Sequence, residues 1–347
     1  MPNPILTRAI EAVCSDQDLT TDHAAAVLAE VMRGDASEVE TAGFLIGLRA
    51  KGETVPELVG FARTMREMVT PVDAGDADLL DTAGTGGGPS TFNVSTTAAL
   101  IAAAAGCRVA KHGNRSATSK SGSADMLEAL GVRIHLDPDA IGECIRTVGF
   151  GYMHAPAHHT AYRHVVPVRK ELGVRTIFNF VGPLTNPAGA GRALMGISDR
   201  RFQESVAEAH LALGTVHALV VNSDDGLDEL SISAPTRVIE VFEGKTAEWY
   251  AEAEELGLKP APLEAVAGGE PGENAAVARE ILGGAPGPQR EIALLNAGAA
   301  IYAGGQAGDL GAGVEKAAEA VDTGAALETL EMLIETTNGL AGPKEQG

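Results

Sequence analysis

Four carboxylates fall within six residues, Asp224, Asp225, Asp228 and Glu229, directly after an apolar run at 216–221. If that run is a strand, the carboxylates sit at the carboxyl edge of a sheet, where open α/β sheets bind ligands. Carboxylate oxygens without His or Cys nearby suit Mg²⁺, which takes one or two carboxylates plus substrate phosphate. By residue type alone an exposed acidic turn fits at least as well. A second group points to phosphate. A short strand at 79–82 leads into Gly84-Thr85-Gly86-Gly87-Gly88, and a helix start follows at Asn93-Val94-Ser95-Thr96-Thr97. Then comes another strand at 108–110, Lys111-His112-Gly113-Asn114-Arg115, a Ser/Thr run and a helix from about Ala124. Glycines let backbone N–H groups turn toward a ligand, and a helix N-terminus leaves N–H groups unpaired beside partial positive charge. Such a loop–helix junction is an anion site suited to phosphate. Two junctions with Lys111 between them suit a ligand carrying more than one phosphate group. The known motifs do not apply. Pro89 stands where a dinucleotide fingerprint needs its third glycine, and Ser119, not glycine, precedes Lys120-Ser121.

Four of the nine histidines, His154, His158, His159 and His164, lie within eleven positions. The i, i+4 pair His154/His158 has no Glu at the zincin position, so a zinc centre is not expected. Cys14, Cys107 and Cys144 are far apart and show no metal-type spacing, which suits reduced thiols in a cytoplasmic protein. A formal charge of −21 argues against nucleic-acid or anionic-membrane partners. Neither a signal peptide nor a membrane-spanning helix is expected.

The elements that must position these groups fall into two patterns. Residues 4 to about 70 carry four amphipathic stripes: Ile5/Ala9/Val13, Ala24/Val27/Leu28/Val31, Phe44/Leu45/Leu48 and Leu58/Phe61/Met65/Met68. Thr20-Thr21-Asp22 offers caps, Gly34 a stop, and Ser37 with Glu40 a capping box. This is a small helical bundle. After a Pro/Gly/Asp-rich stretch at 71–78, short strands alternate with helices: strands at 79–82, 107–110, 132–135, 150–153, 193–197, 216–222 and 237–242, with helices such as 138–147 and 201–213. The fold class is therefore α/β, with a small N-terminal helical bundle and a large domain whose mostly parallel sheet is flanked by helices. Residues 242–246 read as a hairpin turn, 257–272 as a loop, and the chain from Asn274 as helical.

Several blocks together resemble the anthranilate phosphoribosyltransferase family. They are Asp81-Thr82-Ala83-Gly84-Thr85-Gly86-Gly87, Thr91-Phe92-Asn93-Val94-Ser95-Thr96, Lys111-His112-Gly113-Asn114-Arg115, Ser121-Gly122-Ser123-Ala124-Asp125, Val168-Arg169-Lys170-Glu171-Leu172-Gly173, Arg175-Thr176-Ile177-Phe178-Asn179, Gly182-Pro183-Leu184-Thr185-Asn186-Pro187 and Asp228-Glu229. The resemblance implies transfer of a phosphoribosyl group from phosphoribosyl pyrophosphate (PRPP) to the amino group of anthranilate, with pyrophosphate released, in tryptophan biosynthesis. It implies PRPP contacts from Gly84, Thr85, Gly86, Gly87, Thr91, Asn93, Ser95, Thr96, Lys111 and Ser119. Anthranilate contacts would come from Gly84, His112, Asn114, His159, Arg163, Arg169, Gly182 and Pro183. Ser95, Asp228 and Glu229 would hold Mg²⁺, two ions per subunit. Arg169 would pair with the anthranilate carboxylate, and His112 is the candidate base; these two are the catalytic candidates. The resemblance also implies a homodimer through the helical domain, with domains at 1–73 and at 74–164 plus 191–347, and residues 165–190 returning to the small one.

One departure stands out. The family has Asp directly after Gly-Thr-Gly-Gly and four residues before its Thr-Phe-Asn block; here the position is Gly88, and only Gly88-Pro89-Ser90 intervene. Altered metal dependence or looser PRPP positioning is expected. The competing readings are a pyrimidine nucleoside phosphorylase of the same architecture and a non-catalytic nucleic-acid-binding relative.

Overall fold

The computed structural model describes residues 1–75, 78–116 and 120–340. Helices α1 (Pro4–Cys14), α2 (Thr21–Arg33), α3 (Glu38–Lys51) and α4 (Val55–Met68) form the N-terminal bundle. Their ends follow local chemistry. Asn3 accepts from the Ile5 and Leu6 N–H groups, Thr20 caps α2, Gly34 ends it at φ +79°, and Ser37 with Glu40 forms the expected capping box. In α1 the deepest residue is Leu6 rather than Ile5, a one-residue rotation of the stripe. Glu57 is fully buried, capping the Thr54 N–H and accepting from the Leu19 N–H at 2.9 Å, with the Lys51 ammonium 3.2 Å from its carboxylate. Removing one partner of such a buried pair strands the other charge, which typically costs ~3–5 kcal/mol.

The second layer holds strands β1 (Leu79–Gly84), β2 (Arg108–Gly113), β3 (Phe150–His154), β4 (Arg192–Gly196), β5 (His217–Ser223), β6 (Thr236–Phe242) and β7 (Lys245–Ala251), in the order β3-β2-β1-β4-β5-β6-β7. β3 through β5 are parallel; β6 and β7 are antiparallel additions joined by the expected hairpin turn. The intervening helices are α5 (Val94–Ala104), α6 (Ser123–Leu130), α7 (Pro138–Val148), α8 (Ala155–His158), α9 (Val166–Leu172), α10 (Phe178–Val181) and α11 (Gln203–Ala212). The chain ends on α12 (Pro271–Leu282), α13 (Pro288–Ala303), α14 (Leu310–Asp322) and α15 (Ala325–Leu340). One face of the sheet packs on α5, α13 and their neighbours. The other shares a continuous core with the bundle, into which Val165, Val168, Ile177, Phe178, Phe180 and Leu184 insert. The Phe178 ring lies 5.6 Å from that of Phe61 on α4.

Residues 132–135 are not a strand. Val132 and Ile134 alternate inward as a strand would, yet the Arg133 N–H donates to the Thr337 hydroxyl of α15, so the segment packs under a helix instead of joining the ladder. No helix among the described residues is long and apolar enough to cross a membrane.

Buried His210 on α11 has Nδ1 bonded with the Thr215 hydroxyl at 3.0 Å, and desolvation pushes its pKa down to about 3. The unfolded imidazole titrates near ~6.5. The unfolded chain therefore takes up this proton first, and the fold loses stability as pH falls from ~6.5 toward 3, by about 2 kcal/mol at pH 5 from this group. A His210→Gln variant is expected to shrink the difference between denaturation free energies measured at pH 7 and pH 5. An unchanged difference would assign the acid sensitivity to other groups.

Candidate active site

The three parallel strands β1, β2 and β5 end at one edge of the sheet, and the loops leaving them converge there. The 226–229 turn after β5 comes so close that side chains opposite it are excluded. A Cβ on Gly84 would lie 2.9 Å from Asp228 Oδ2, and one on Gly196, its register partner on β4, would lie 1.6 Å from the Asp228 carbonyl oxygen. The Gly86 N–H donates to Asp228 Oδ2 at 2.9 Å. Glu229 accepts from the Thr91 hydroxyl (3.1 Å) and from the Ser95 N–H (3.2 Å) in the first turn of α5. Enclosure by these loops, with Asp228 adjacent, pushes the Glu229 carboxyl up to about 8; desolvation also raises Asp228. Negative charge is thus held at a cost that a divalent cation would relieve. The donor set is all oxygen, as Mg²⁺ requires, and no cluster of three His, Cys, Asp or Glu occurs among the described residues. The pair fits an ion whose remaining ligands come from substrate and water.

Asn93 adopts the left-handed conformation, φ +67°, at the junction of loop and helix. Its amide donates to the Ser121 carbonyl (3.0 Å) and accepts from the Ser121 hydroxyl (2.9 Å) and the Asn274 amide (2.8 Å), tying the first loop to the second and to α12. Lys111 is 2% exposed, and Nζ donates to the Thr82 carbonyl and hydroxyl. Desolvation brings its pKa down to about 8 despite the carboxylates of Asp81 and Glu229. It serves the β1–β2 interior with two of its three protons, where the sequence suggested a charge facing the ligand. Asp81, buried and pushed up to about 6 by desolvation, accepts from the Asn186 amide (2.7 Å) and the His112 N–H (3.1 Å).

On the other side of the edge, the His112 and His159 rings stand 5.0 Å apart. Burial holds both neutral, His159 at about 4 and His112 well below its ordinary value. His112 Nε2 is buried without a partner among the described residues. Arg169 on α9 donates to the Tyr162 hydroxyl and to Asn179 Oδ1 (3.2 Å), its guanidinium 5.7 Å from both the Tyr162 and Phe178 rings. Gly182 and Pro183 form a short helical turn, and a Cβ on Gly182 would meet nothing within 4 Å.

Several expected contacts are buried, already engaged or placed apart from the site. Thr96 is fully buried, its N–H bonded to the Asn93 carbonyl and its hydroxyl without a partner among the described residues; one position past Ser95, it faces the core. The Thr85 hydroxyl is occupied by the Ser198 N–H at 3.0 Å. Arg163 is exposed, its Nε donating to His164 (3.2 Å), whose ring packs on Gly34 of α2; no contact among the described residues joins it to His112 or His159. Asn114 is exposed, its side-chain oxygen accepting from the Arg115 N–H. Ser119 lies outside the described residues. Of the other two carboxylates in the acidic stretch, Asp225 braces the turn by accepting from Ser231 (2.5 Å) and Ser233, whereas Asp224 pairs with Arg200 at 2.7 Å. Asp81, Asn186 and Arg175 stand in the blocks that carry the resemblance, and Asn274 at a helix start, but sequence reasoning gave none of them a site role. Asp81 and Asn274 are polar residues within an apolar run and a helical pattern, a signal of buried polar partners.

A glycosyl transferase family model for the a/b domain matches residues 76–327, and one for the helical bundle domain matches residues 7–69. Fold and site together define a glycosyl transferase of this two-part class. The chain is 49% identical to an anthranilate phosphoribosyltransferase from Halorhodospira halophila, over 97% of this chain and 99% of that protein. The crystal structure of anthranilate phosphoribosyltransferase from Thermus thermophilus superposes with a TM-score of 0.90 at 44% identity, covering 95% of this chain and 99% of that one. The Saccharomyces cerevisiae enzyme in complex with PRPP and Mg superposes with a TM-score of 0.87 at 26% identity, covering 96% and 98%. This chain belongs to the anthranilate phosphoribosyltransferase family.

The shortened loop has a steric counterpart. A Cβ on Gly88 would lie 2.8 Å from the Gly226 carbonyl and 3.2 Å from Asp228 Oδ1. Gly88→Asp, which installs the residue that the resemblance leads one to expect there, is therefore expected to lower kcat/KM for PRPP about tenfold or more, by displacing the 226–228 turn and adding a third carboxylate. Steady-state kinetics check this; a gain in activity would show that the loop accommodates the side chain.

Proposed function

We propose that this protein transfers the phosphoribosyl group of PRPP to the amino group of anthranilate, giving N-(5-phosphoribosyl)anthranilate and pyrophosphate in tryptophan biosynthesis. The observation that carries the reading is the meeting of a Gly-rich loop, the N-terminus of α5 and the Asp228-Glu229 carboxylates at one sheet edge. There the Gly87 end of the loop and the Ser95 side chain receive the diphosphate. Mg²⁺, held by Asp228 and Glu229 with help from Ser95, offsets the charge that develops on the leaving pyrophosphate; we propose two ions per subunit. Anthranilate lies between His112, His159, Gly182 and Pro183, its carboxylate paired with the Arg169 guanidinium, a bidentate geometry that also aims its amine at the ribose. Holding amine and ribose carbon together supplies ~7–11 kcal/mol of the barrier in well-oriented systems. Displacement at an oxocarbenium-like centre needs no enzyme nucleophile. Neutral His112 is available to take a proton from the amine as the new C–N bond forms.

The same reading divides the chain near residue 73, with 165–190 returning to the bundle, and makes the enzyme a cytoplasmic homodimer. The free thiols of Cys14, Cys107 and Cys144 suit a reducing compartment. Val39 and Ile46 lie exposed one above the other on α3, an apolar stripe on the bundle surface that a second subunit would cover.

Anthranilate fluorescence should fall on mixing with PRPP and enzyme, and chelating Mg²⁺ should stop the fall; no loss under either condition would favour the nucleoside phosphorylase reading. Arg169→Ala should raise KM for anthranilate about 10- to 100-fold, as expected for charge-assisted hydrogen bonds worth ~1.5–3 kcal/mol, while KM for PRPP stays nearly constant. Equal changes would remove the carboxylate contact. Light scattering should report a dimer for the native protein and a monomer for Val39→Asp/Ile46→Asp. A dimer in both would place the interface elsewhere.

A further inference from the structure

We infer that Arg175 is a positioning residue for this reaction: with the Ser198 hydroxyl it fixes the direction of two successive peptides in the Gly-rich loop, seating the Gly86 N–H on Asp228 and leaving the Gly87 N–H turned to the same side of the loop for the diphosphate of PRPP. The inference rests on the phosphoribosyl-transfer reading and adds residues that the reading does not use.

Arg175 lies between α9 and α10. Its Nη2 donates to the carbonyls of Thr85 (3.3 Å) and Gly86 (3.0 Å), and its Nη1 donates to Ser198 Oγ (3.0 Å). Ser198 Oγ in turn donates to the Gly86 carbonyl at 2.7 Å, so that oxygen has two donors. In a trans peptide the N–H points opposite to the C=O. Carbonyls drawn toward Arg175 therefore turn the following N–H groups to the other side of the loop. The first of these, Gly86 N–H, donates to Asp228 Oδ2 at 2.9 Å; for the second, the doubly held Gly86 carbonyl implies a Gly87 N–H turned away from Arg175. Gly86 and Gly87 have φ of +62° and +90°, and a Cβ on Gly87 would lie 2.6 Å from Arg175 Nη1. The arginine occupies the space that a side chain there would take.

Nothing in a run of glycines fixes the direction of its peptides. A loop left to itself would spend binding energy on ordering before its N–H groups could act as an anion site. Arg175 is itself well held. Its guanidinium carbon lies 5.8 Å from the centre of the Phe180 ring, and its own carbonyl accepts from Arg49 of α3. Ser198 is anchored through its N–H to the Thr85 hydroxyl.

The test is steady-state kinetics for both substrates, with melting temperatures, on wild type, Arg175→Met, Arg175→Lys and Ser198→Ala. Arg175→Met is expected to raise KM for PRPP about 10- to 100-fold, the scale of lost charge-assisted hydrogen bonds, with KM for anthranilate at saturating PRPP changed less than about threefold. Arg175→Lys should recover part of the loss, because one of the carbonyls regains a charged donor. Ser198→Ala should show the same split at smaller size; it leaves the arginine in place, and it decides the matter should Arg175→Met fail to fold. Equal rises in both KM values, or a lowered melting temperature with KM for PRPP unchanged, would overturn the positioning role. So would a defect in the Arg175 variants with none in Ser198→Ala, which would make the arginine a direct phosphate ligand. An active wild type with such outcomes removes this inference alone; a wild type that does not consume anthranilate with PRPP removes the functional reading and this inference together.

Discussion

Two adjacent carboxylates enclosed by protein repel each other and lose hydration, so the fold must answer Asp228 and Glu229 with donors. It does so with main-chain N–H groups from the Gly86 peptide and the start of α5, and with the Thr91 hydroxyl. Those donors can approach only because Gly84 and Gly196 lack side chains on the paired ends of β1 and β4. The mixed sheet follows from the same requirement. β5 must lie beside β4, beside β1, for the turn after β5 to meet the loop after β1, and the antiparallel β6 and β7 then complete the layer outside the site.

The region proposed for anthranilate is built across the junction of bundle and sheet. Residues 165–184 lend apolar side chains to the bundle core, and the same stretch carries Arg169, Arg175, Gly182 and Pro183. Asn186 closes it onto the sheet by donating to both Asp81 and the Ala110 carbonyl. Asp81 also receives the His112 N–H, so a single buried carboxylate on β1 links the strand that leads into the Gly-rich loop to β2 at His112 and to Asn186 of the returning segment.

Much of this was legible in the sequence. Caps and stops marked out the four bundle helices because their signals lie within a few residues of each other. The Gly-rich loop could be picked out because a glycine run between strand and helix is a local pattern with direct chemical meaning, whereas the Asp228-Glu229 pair reads as an exposed acidic turn until the family resemblance is weighed. What escaped was set by partners far away in the chain. The alternation at 132–135 looks like a strand until Thr337 takes the Arg133 N–H. Lys111 looks like a phosphate ligand until the fold turns its ammonium onto Thr82. Arg175 is one basic residue among several until Thr85, Gly86 and Ser198 surround it. Periodicity reports which face is buried and cannot report what a polar side chain meets there.

The strand order also bears on how the chain is made. β1 is flanked by β2 and β4, and β4 ends only at Gly196, after the whole of β2, β3 and the returning segment has been synthesised. At ~5–20 residues per second a nascent chain carries the β4-facing edge of β1 unpaired for on the order of ten seconds. An open apolar edge of that kind invites pairing with other chains. The strand on which the Gly-rich loop hangs is thus the one that waits longest for its second neighbour, so a pause or truncation before residue 192 leaves a sticky fragment rather than a smaller folded unit.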